Sequence, residues 1–321
     1  MTSGAKPVSV IIPCSSTGGL AQCLDAIADQ DYAGDVEAVI GLAPNAGRVP
    51  SVEGLTVRQV DNPSGRTPDA LNAAVGVAVG SILVRADVQS RLSPSHVRRA
   101  VELLDETSAW NVGGGQQPVP RSTVQAWIAA AMQHPLGAGG AAFRRQRLPG
   151  PVDTVYLGAF PASALESLGG FDPRFDRNQD YELNLRIVES GHEVFFHPDL
   201  DVSYEPRKSL IALASQYFQY GRWRRATSRV HPGSLKPRQL AAPVLVVAGA
   251  MGLLGLPLGY WQPIAALGIF YVGGLATAAV QSRQRTGWWG LPVAAAVMHV
   301  SWGIGFLGGI RLQEPNPPGR P

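Results

Sequence analysis

The chain has little that a secreted or dinucleotide-binding protein would need. Of its 321 residues only two are cysteine, Cys14 and Cys23, both near the N-terminus. That excludes a disulfide framework and points to reduced thiols in the cytoplasm. The opening residues MTSGAKP lack the apolar core of a signal peptide. GxxxxGK does not occur, and the one GxGxxG spacing, Gly303 to Gly308, lies within an apolar run and not at a strand-to-helix turn, so neither a P-loop nor a dinucleotide phosphate site is indicated. No internal repeat is evident. Acid is almost missing from one end. Residues 1–205 hold 15 Lys+Arg against 23 Asp+Glu, a net of −8, whereas residues 206–321 hold 12 against one, Glu314, a net of +11. The sum is the +3 of the whole chain, so its basic balance belongs to one end and is not nucleic-acid affinity.

Charge is also missing from Leu240 to Val280, an apolar run interrupted by Pro257, Tyr260 and Pro263. That is room for two spans of about twenty residues and a tight turn. A third apolar run, Leu291 to Ile310, contains His299 as its one ionisable group. The expected spans are 240–259, 261–280 and 291–310, with 313–321 as a tail. The competing reading, a soluble core, would need three all-round apolar helices in a small domain. Gly255/Gly259 and Gly305/Gly309 have the spacing of close helix contacts. Between Arg207 and Arg238 lie eight Lys or Arg and no acid, and Arg283 and Arg285 separate the second and third runs. By the positive-inside rule both basic segments are cytoplasmic, and an odd number of spans puts the C-terminus outside. Residues 206–239 read as a basic interfacial helix and linker. Its helix, Leu210 to Arg225, carries Tyr217, Tyr220 and Trp223 beside Arg222, Arg224 and Arg225, as a helix lying on anionic lipid would. An ordinary amphipathic helix with an arginine-rich end is the alternative.

Residues 1–205 read as an α/β domain. Strands are expected at Val8–Ile12, Val36–Leu42, Thr56–Val60 and Ser81–Val84, and helices at Leu20–Asp29, from the Thr67-Pro68-Asp69 start through Leu71 to Ala78, and at Pro94–Thr107. This alternation predicts a doubly wound, mostly parallel sheet whose ligand lies beyond the carboxyl ends of the strands, where Pro13, Leu42, Asp61 and Asp87 fall. A strand breaking into a Gly turn is expected at Asn111–Pro118 and a helix at Thr123–Met132. The Gly-rich stretch HPLGAGGAAFRRQRLPGP, with Arg144, Arg145 and Arg147, is longer than a connector needs to be, as functional loops are.

Chemistry concentrates in Asn178-Gln179-Asp180-Tyr181-Glu182. Asp180 opens a helix that runs to Ser190 and stops at Gly191. A carboxylate there can cap the helix, or it can take a proton from a substrate hydroxyl. The sequence NQDYELN, a Gly-His turn, a strand ending in His197-Pro198, and then SLIALASQYFQYGRWR together resemble the membrane-bound inverting glycosyltransferases of family 2. The likeness is greatest to succinoglycan-type exopolysaccharide glucosyltransferases. It runs from about Val8 to the C-terminus and is most specific between Val152 and Arg224.

The resemblance implies a GT-A catalytic domain with Asp180 as the base that deprotonates the acceptor, and Glu182 beside it, positioning the acceptor. One base in a direct displacement inverts the anomeric centre, whereas glycosidases flank the bond with two carboxylates. Asp87-Val88-Gln89 stands where the family has its DxD metal motif, implying Mg²⁺ or Mn²⁺ with Gln89 as an uncharged second ligand. Pro13, Ser15, Asp61, Asn62, Asn72 and Asp87 fall at donor-binding positions. Relatives carry acids after the first strand and at the end of the second, where this chain has Ser15-Ser16-Thr17 and Gly41-Leu42-Ala43, so the nucleotide contacts stay unassigned. Gln219-x-x-Arg222-Trp223 has the QxxRW spacing of processive synthases, where it lies near the acceptor and the leaving diphosphate. His197 reads as a structural histidine, and His299 as a hydrogen-bond partner of a neighbouring helix. The implied partners are a nucleotide diphosphate sugar such as a UDP-sugar, a polyprenyl-linked saccharide and the bilayer. The implied site of action is the cytoplasmic face of the plasma membrane. A non-catalytic scaffold or saccharide-binding subunit, and a processive synthase, are the other readings.

Overall fold

A computed structural model describes residues 4–138 and 148–312; Arg144, Arg145, Arg147 and the tail 313–321 lie outside the described residues. The chain forms two compact units, residues 4–117 with 148–204, and residues 118–138 with 205–312.

The first unit begins with β1 (Val8–Cys14), α1 (Leu20–Ala28), β2 (Val36–Leu42), β3 (Thr56–Asp61), α2 (Thr67–Val77), β4 (Ile82–Arg85) and α3 (His96–Thr107). β1 and β4 are buried along nearly their whole length, which is why they read as continuous apolar runs. β5 (Asn111–Gly114) and β6 (Gln116–Pro118) follow. The segment carrying α4 (Thr123–Met132) and α5 (Pro135–Ala138) belongs to the second unit. The first resumes with β7 (Gly150–Pro151), β8 (Tyr156–Pro161), α6 (Ala162–Ser167), α7 (Gln179–Glu189), β9 (Val194–Phe196) and β10 (Val202–Tyr204).

The main sheet has eight strands in the order β3-β2-β1-β4-β8-β5-β9-β7. β1, β2, β3 and β4 run parallel, with Pro13 opposite Gly41 and Leu42 opposite Asp61. β8 is antiparallel to both β4 and β5. Two apolar clusters cover the sheet. One packs α1 and α3, through Leu24, Ile27, Val97 and Leu104, against Val10, Ile12 and Val84. The other packs α2 and α7, through Leu71, Leu183 and Ile187, against Ile11, Val39 and Leu83. The strand order reverses at β1, whose neighbours β2 and β4 are reached in opposite directions, so the ligand crevice opens at the carboxyl ends of β1 and β4.

The second unit contains α4, α5, α8 (Leu210–Val230), α9 (Ala241–Gly255), α10 (Gln262–Gln281) and α11 (Leu291–Gly308). Three stretches, Pro237–Leu258, Gln262–Gln281 and Trp288–Gly308, are long and apolar enough to cross a membrane. α8 packs closely on α11. A Cβ on Gly221 would stand 2.1 Å from Trp302 O, and one on Gly305 2.0 Å from Phe218 O. The glycines at this crossing let the two backbones touch. α4 docks in the same manner, with the Trp127 ring where a Cβ on Gly290 would lie.

His96, the first residue of α3, is fully buried, and neither ring nitrogen has a partner among the described residues. Burial pushes its imidazole down to about 4. Between about pH 6.5 and 4 the unfolded chain takes up a proton that the folded chain refuses, so stability falls as pH falls through that window, by up to about 3 kcal/mol. Thermal melting of the detergent-solubilised full chain checks this. His96→Leu should flatten the acid-side loss relative to the parent chain; an identical pH dependence in both would contradict it.

Candidate active site

The crevice is built on Arg85, a residue the sequence reasoning passed over. It ends β4 and is 5% exposed. Its Nη2 pairs with Asp87 Oδ1 at 3.1 Å and its Nη1 pairs with Asp180 Oδ1. A buried guanidinium needs carboxylate partners to offset its lost hydration. Here both partners are half-exposed side chains, Asp87 just past the end of β4 and Asp180 in the first turn of α7. Burial pushes the Asp180 carboxyl above its usual range. The Arg85 charge opposes that shift, and the Asp87 carboxylate adds to it. A carboxylate raised in this way is a stronger base than one in water.

The loop before α7 fixes where Asp180 stands. Asn178 takes a left-handed conformation (φ 63), which asparagine tolerates, and the helix starts at Gln179. Asp180 is then the second helical residue, near the positive end of the helix. It does not cap the helix but reaches across to Arg85. Upstream, both atoms of the Asn72 side-chain amide hold the backbone of Phe171, at 2.7 and 2.8 Å. Arg186 donates to Leu168 O at 2.7 Å and to Gly170 O at 2.9 Å. Arg66 pairs with Asp176 at 2.6 Å.

Glu182 does not stand beside Asp180. It is 1% exposed and makes a two-pronged bond to Arg186, at 2.8 and 2.7 Å. Residues two apart on a helix are turned by roughly 200°, so when Asp180 faces the strand ends Glu182 faces the core. The Glu182 carboxylate is thus committed to Arg186 inside the fold. Asn72, expected near the donor, is likewise committed to the Phe171 backbone.

The other sequence-identified residues are gathered at the strand ends. Pro13 lies at the end of β1 and exposed Ser15 just beyond it; exposed Asp61 closes β3. Asn62 is buried and organises its turn, donating to Arg66 O at 3.0 Å and accepting from Ser64 at 2.9 Å. Exposed Gln89 follows Asp87 in a turn closed by Ser90 N to Asp87 O at 2.8 Å. Among the described residues no three His, Cys, Asp or Glu side chains gather as a metal site. Asp87 and Gln89 still offer two oxygen ligands, enough for a cation that keeps water and shares diphosphate oxygens. His197 caps the turn Pro198–Leu200, accepting from Asp199 N at 3.2 Å.

In the second unit, Arg222 Nε donates to Gly309 O at 3.0 Å, and its guanidinium lies 5.7 Å from the centre of the Phe218 ring. Trp223 is buried and Gln219 half-buried. The QxxRW arginine thus closes the end of α11. His299 bonds Tyr271 on α10 at 2.9 Å, as a helix-to-helix partner.

No family model matches the sequence. The chain is 30% identical over 251 residues to the succinoglycan biosynthesis protein ExoA of Rhizobium meliloti (strain 1021), covering 77% of this chain and 76% of that one. In fold it is similar to the mannosyltransferase PcManGT of Pyrobaculum calidifontis, solved with GDP-Man and Mn²⁺, with a TM-score of 0.59 at 20% identity over 93% of this chain and 88% of that one. It is also similar to TarS 1-349 of S. aureus, solved with UDP-GlcNAc, with a TM-score of 0.50 at 12% identity over 90% of each chain.

Removing the Arg85 charge should raise the Asp180 carboxyl further. Arg85→Gln is expected to move the acid limb of the turnover–pH profile upward, with Arg85→Lys moving it less. An acid limb left in place by Arg85→Gln would contradict the pairing.

Proposed function

The chain belongs to the family-2-type glycosyltransferases, and from that premise we propose that it is an inverting hexosyltransferase. Its donor is a nucleotide diphosphate sugar. Its acceptor is a polyprenyl-diphosphate-linked saccharide in cell-surface polysaccharide assembly, reached from the cytoplasmic face of the membrane. The observation that carries this reading is the Asp180–Arg85–Asp87 arrangement at the strand-end crevice.

Asp180 accepts the proton of the acceptor hydroxyl as that oxygen attacks the anomeric carbon, and the bond to the diphosphate breaks on the opposite side. Arg85 holds the Asp180 carboxylate in place, and the bonds of Asn72, Glu182 and Arg186 keep its loop from shifting. Pro13, Ser15 and Asp61 line the donor side, Asn62 shapes the turn behind them, and Asp87, paired with Arg85 through one oxygen, is placed on the diphosphate side. Asp87 and Gln89 would hold a divalent cation, which supplies charge neutralisation to the departing diphosphate. The apolar helices of the second unit suit an acceptor carried by lipid. There Gln219, Arg222 and Trp223 lie on the helix packed beside α11, so an arginine-bearing surface accompanies the membrane-embedded part.

Asp180→Asn should lower turnover by about 10²–10⁴-fold while calorimetry against UDP- and GDP-hexoses with Mn²⁺ still shows donor binding. Full activity in that variant would remove Asp180 from the mechanism, and no binding of any donor by the parent chain would favour a scaffold. Gln89→Asp restores a second carboxylate and should lower the Mn²⁺ concentration needed for donor binding. An unchanged metal requirement would place the cation elsewhere.

A further inference from the structure

Length and apolarity alone would carry all three long helices across a membrane. The ties at their ends sort them differently. α9 and α10 form an antiparallel hairpin: a Cβ on Gly252 would stand 2.9 Å from Ile264, and the chain turns through Gly259 with φ 82. In a hairpin that crosses and returns, the start of α9 and the end of α10 lie on one side of the bilayer. Protein buries only 11% and 17% of these two helices, as expected of helices surrounded by lipid; α11 is 44% buried.

The first turn of α11 is fixed at the end of α10. His134 bonds Gln281 at 3.3 Å, Arg285 pairs with Gln133, and Gly287 and Gly290 receive the α4 residues Ala126 and Trp127. The far end of α11 is fixed at the start of α9. A Cβ on Gly303 would stand 2.6 Å from Ala242 O. Arg222 and Arg225, both on α8, hold the last carbonyls of α11: Gly309 O at 3.0 Å, Phe306 O at 3.0 Å and Leu307 O at 2.7 Å. The next arginine on α8, Arg224, reaches Ser234 and Gln239 in the connection to α9. Both ends of α11 are therefore tied to the same side, whereas a crossing helix must place its ends about 30 Å apart.

We propose that α11 does not cross the bilayer but lies within its interface beneath α8, leaving α9 and α10 as the two crossings. Exposed Val293, Val300, Ile304 and Leu307, at helical spacing, form one apolar stripe that faces the acyl chains, while Leu291, Ala295, Met298 and Phe306 face protein. Charge supports this placement. Were α11 a crossing, Arg222 and Arg225 would lie across the bilayer from Arg283 and Arg285. Arginines are disfavoured both within the bilayer and on its non-cytoplasmic side. With α11 in the interface, the basic cluster of α8, Arg283, Arg285 and Arg311 all share one side, as the positive-inside rule favours. The C-terminus then emerges on the side from which α9 starts, not on the far side that a third crossing would give.

Single cysteines test this in the full chain, since the native Cys14 and Cys23 are buried. Pro232→Cys, in the connection to α9, Tyr260→Cys, at the hairpin tip, and Arg311→Cys, after α11, are labelled with a membrane-impermeant maleimide in spheroplasts and in inverted vesicles. The expected result is that positions 232 and 311 label from one side and position 260 from the other. Labelling of position 311 from the side of position 260 would overturn the proposal. Should Arg311→Cys fail to accumulate, a reporter fused after Pro321 reads the same sidedness: activity on the side of position 232 supports the proposal, and activity on the side of position 260 overturns it.

Discussion

A buried guanidinium at the end of β4 sets the conditions for the rest of the catalytic unit. Arg85 is held out of water, so it must keep anionic partners, and it finds one on its own strand end and one on α7. That requirement couples the side of the crevice proposed to meet the donor diphosphate to the side carrying Asp180, the proposed base. It also explains how a carboxylate can stand partly desolvated at the mouth of a sheet without simply taking up a proton. Desolvation raises the Asp180 carboxyl, and the adjacent positive charge limits the rise.

The shell around that pair is spent on positioning. Ordinary side chains that could have contacted ligand, Asn72 and Glu182 among them, instead bind the loop from Leu168 to Asp172 and its anchor Arg186. Asp180 needs this support because its helix starts after a left-handed asparagine and has no side-chain cap of its own. The second unit uses arginine for a related purpose. Arg222 and Arg225 satisfy the last carbonyls of α11, groups that an apolar helix end in or near a membrane cannot leave unpaired.

Much of this was legible in the sequence because the signals were local. The β-branched run Val8–Ile12, the Thr67-Pro68-Asp69 start and the uncharged stretch from Leu240 each encode their own element, and the structure places those elements within a few residues of where they read. What stayed hidden depends on distance in the chain. Arg85 reads as the polar end of a strand, and only folding brings it to Asp180. The antiparallel pairing of β8 with β4 and β5 is set by the route of the chain between them, which no local pattern carries. The bond of Glu182 to Arg186 was equally hidden, because adjacency in sequence to Asp180 says nothing of which way the helix turns the side chain. Residues 1–205 read as one continuous domain, yet the Thr123–Met132 helix, located correctly, groups with the apolar helices, since its partners Gly287 and Gly290 lie far along the chain.

The central claim is that one carboxylate, Asp180, acts alone as base in a direct displacement, with no covalent sugar–enzyme intermediate. The most direct measurement is the anomeric configuration of the product, read from the proton coupling constant at the transferred sugar's C1 by NMR. From an α-linked nucleotide sugar the account predicts a β-linked product. A product that keeps the α configuration would contradict it.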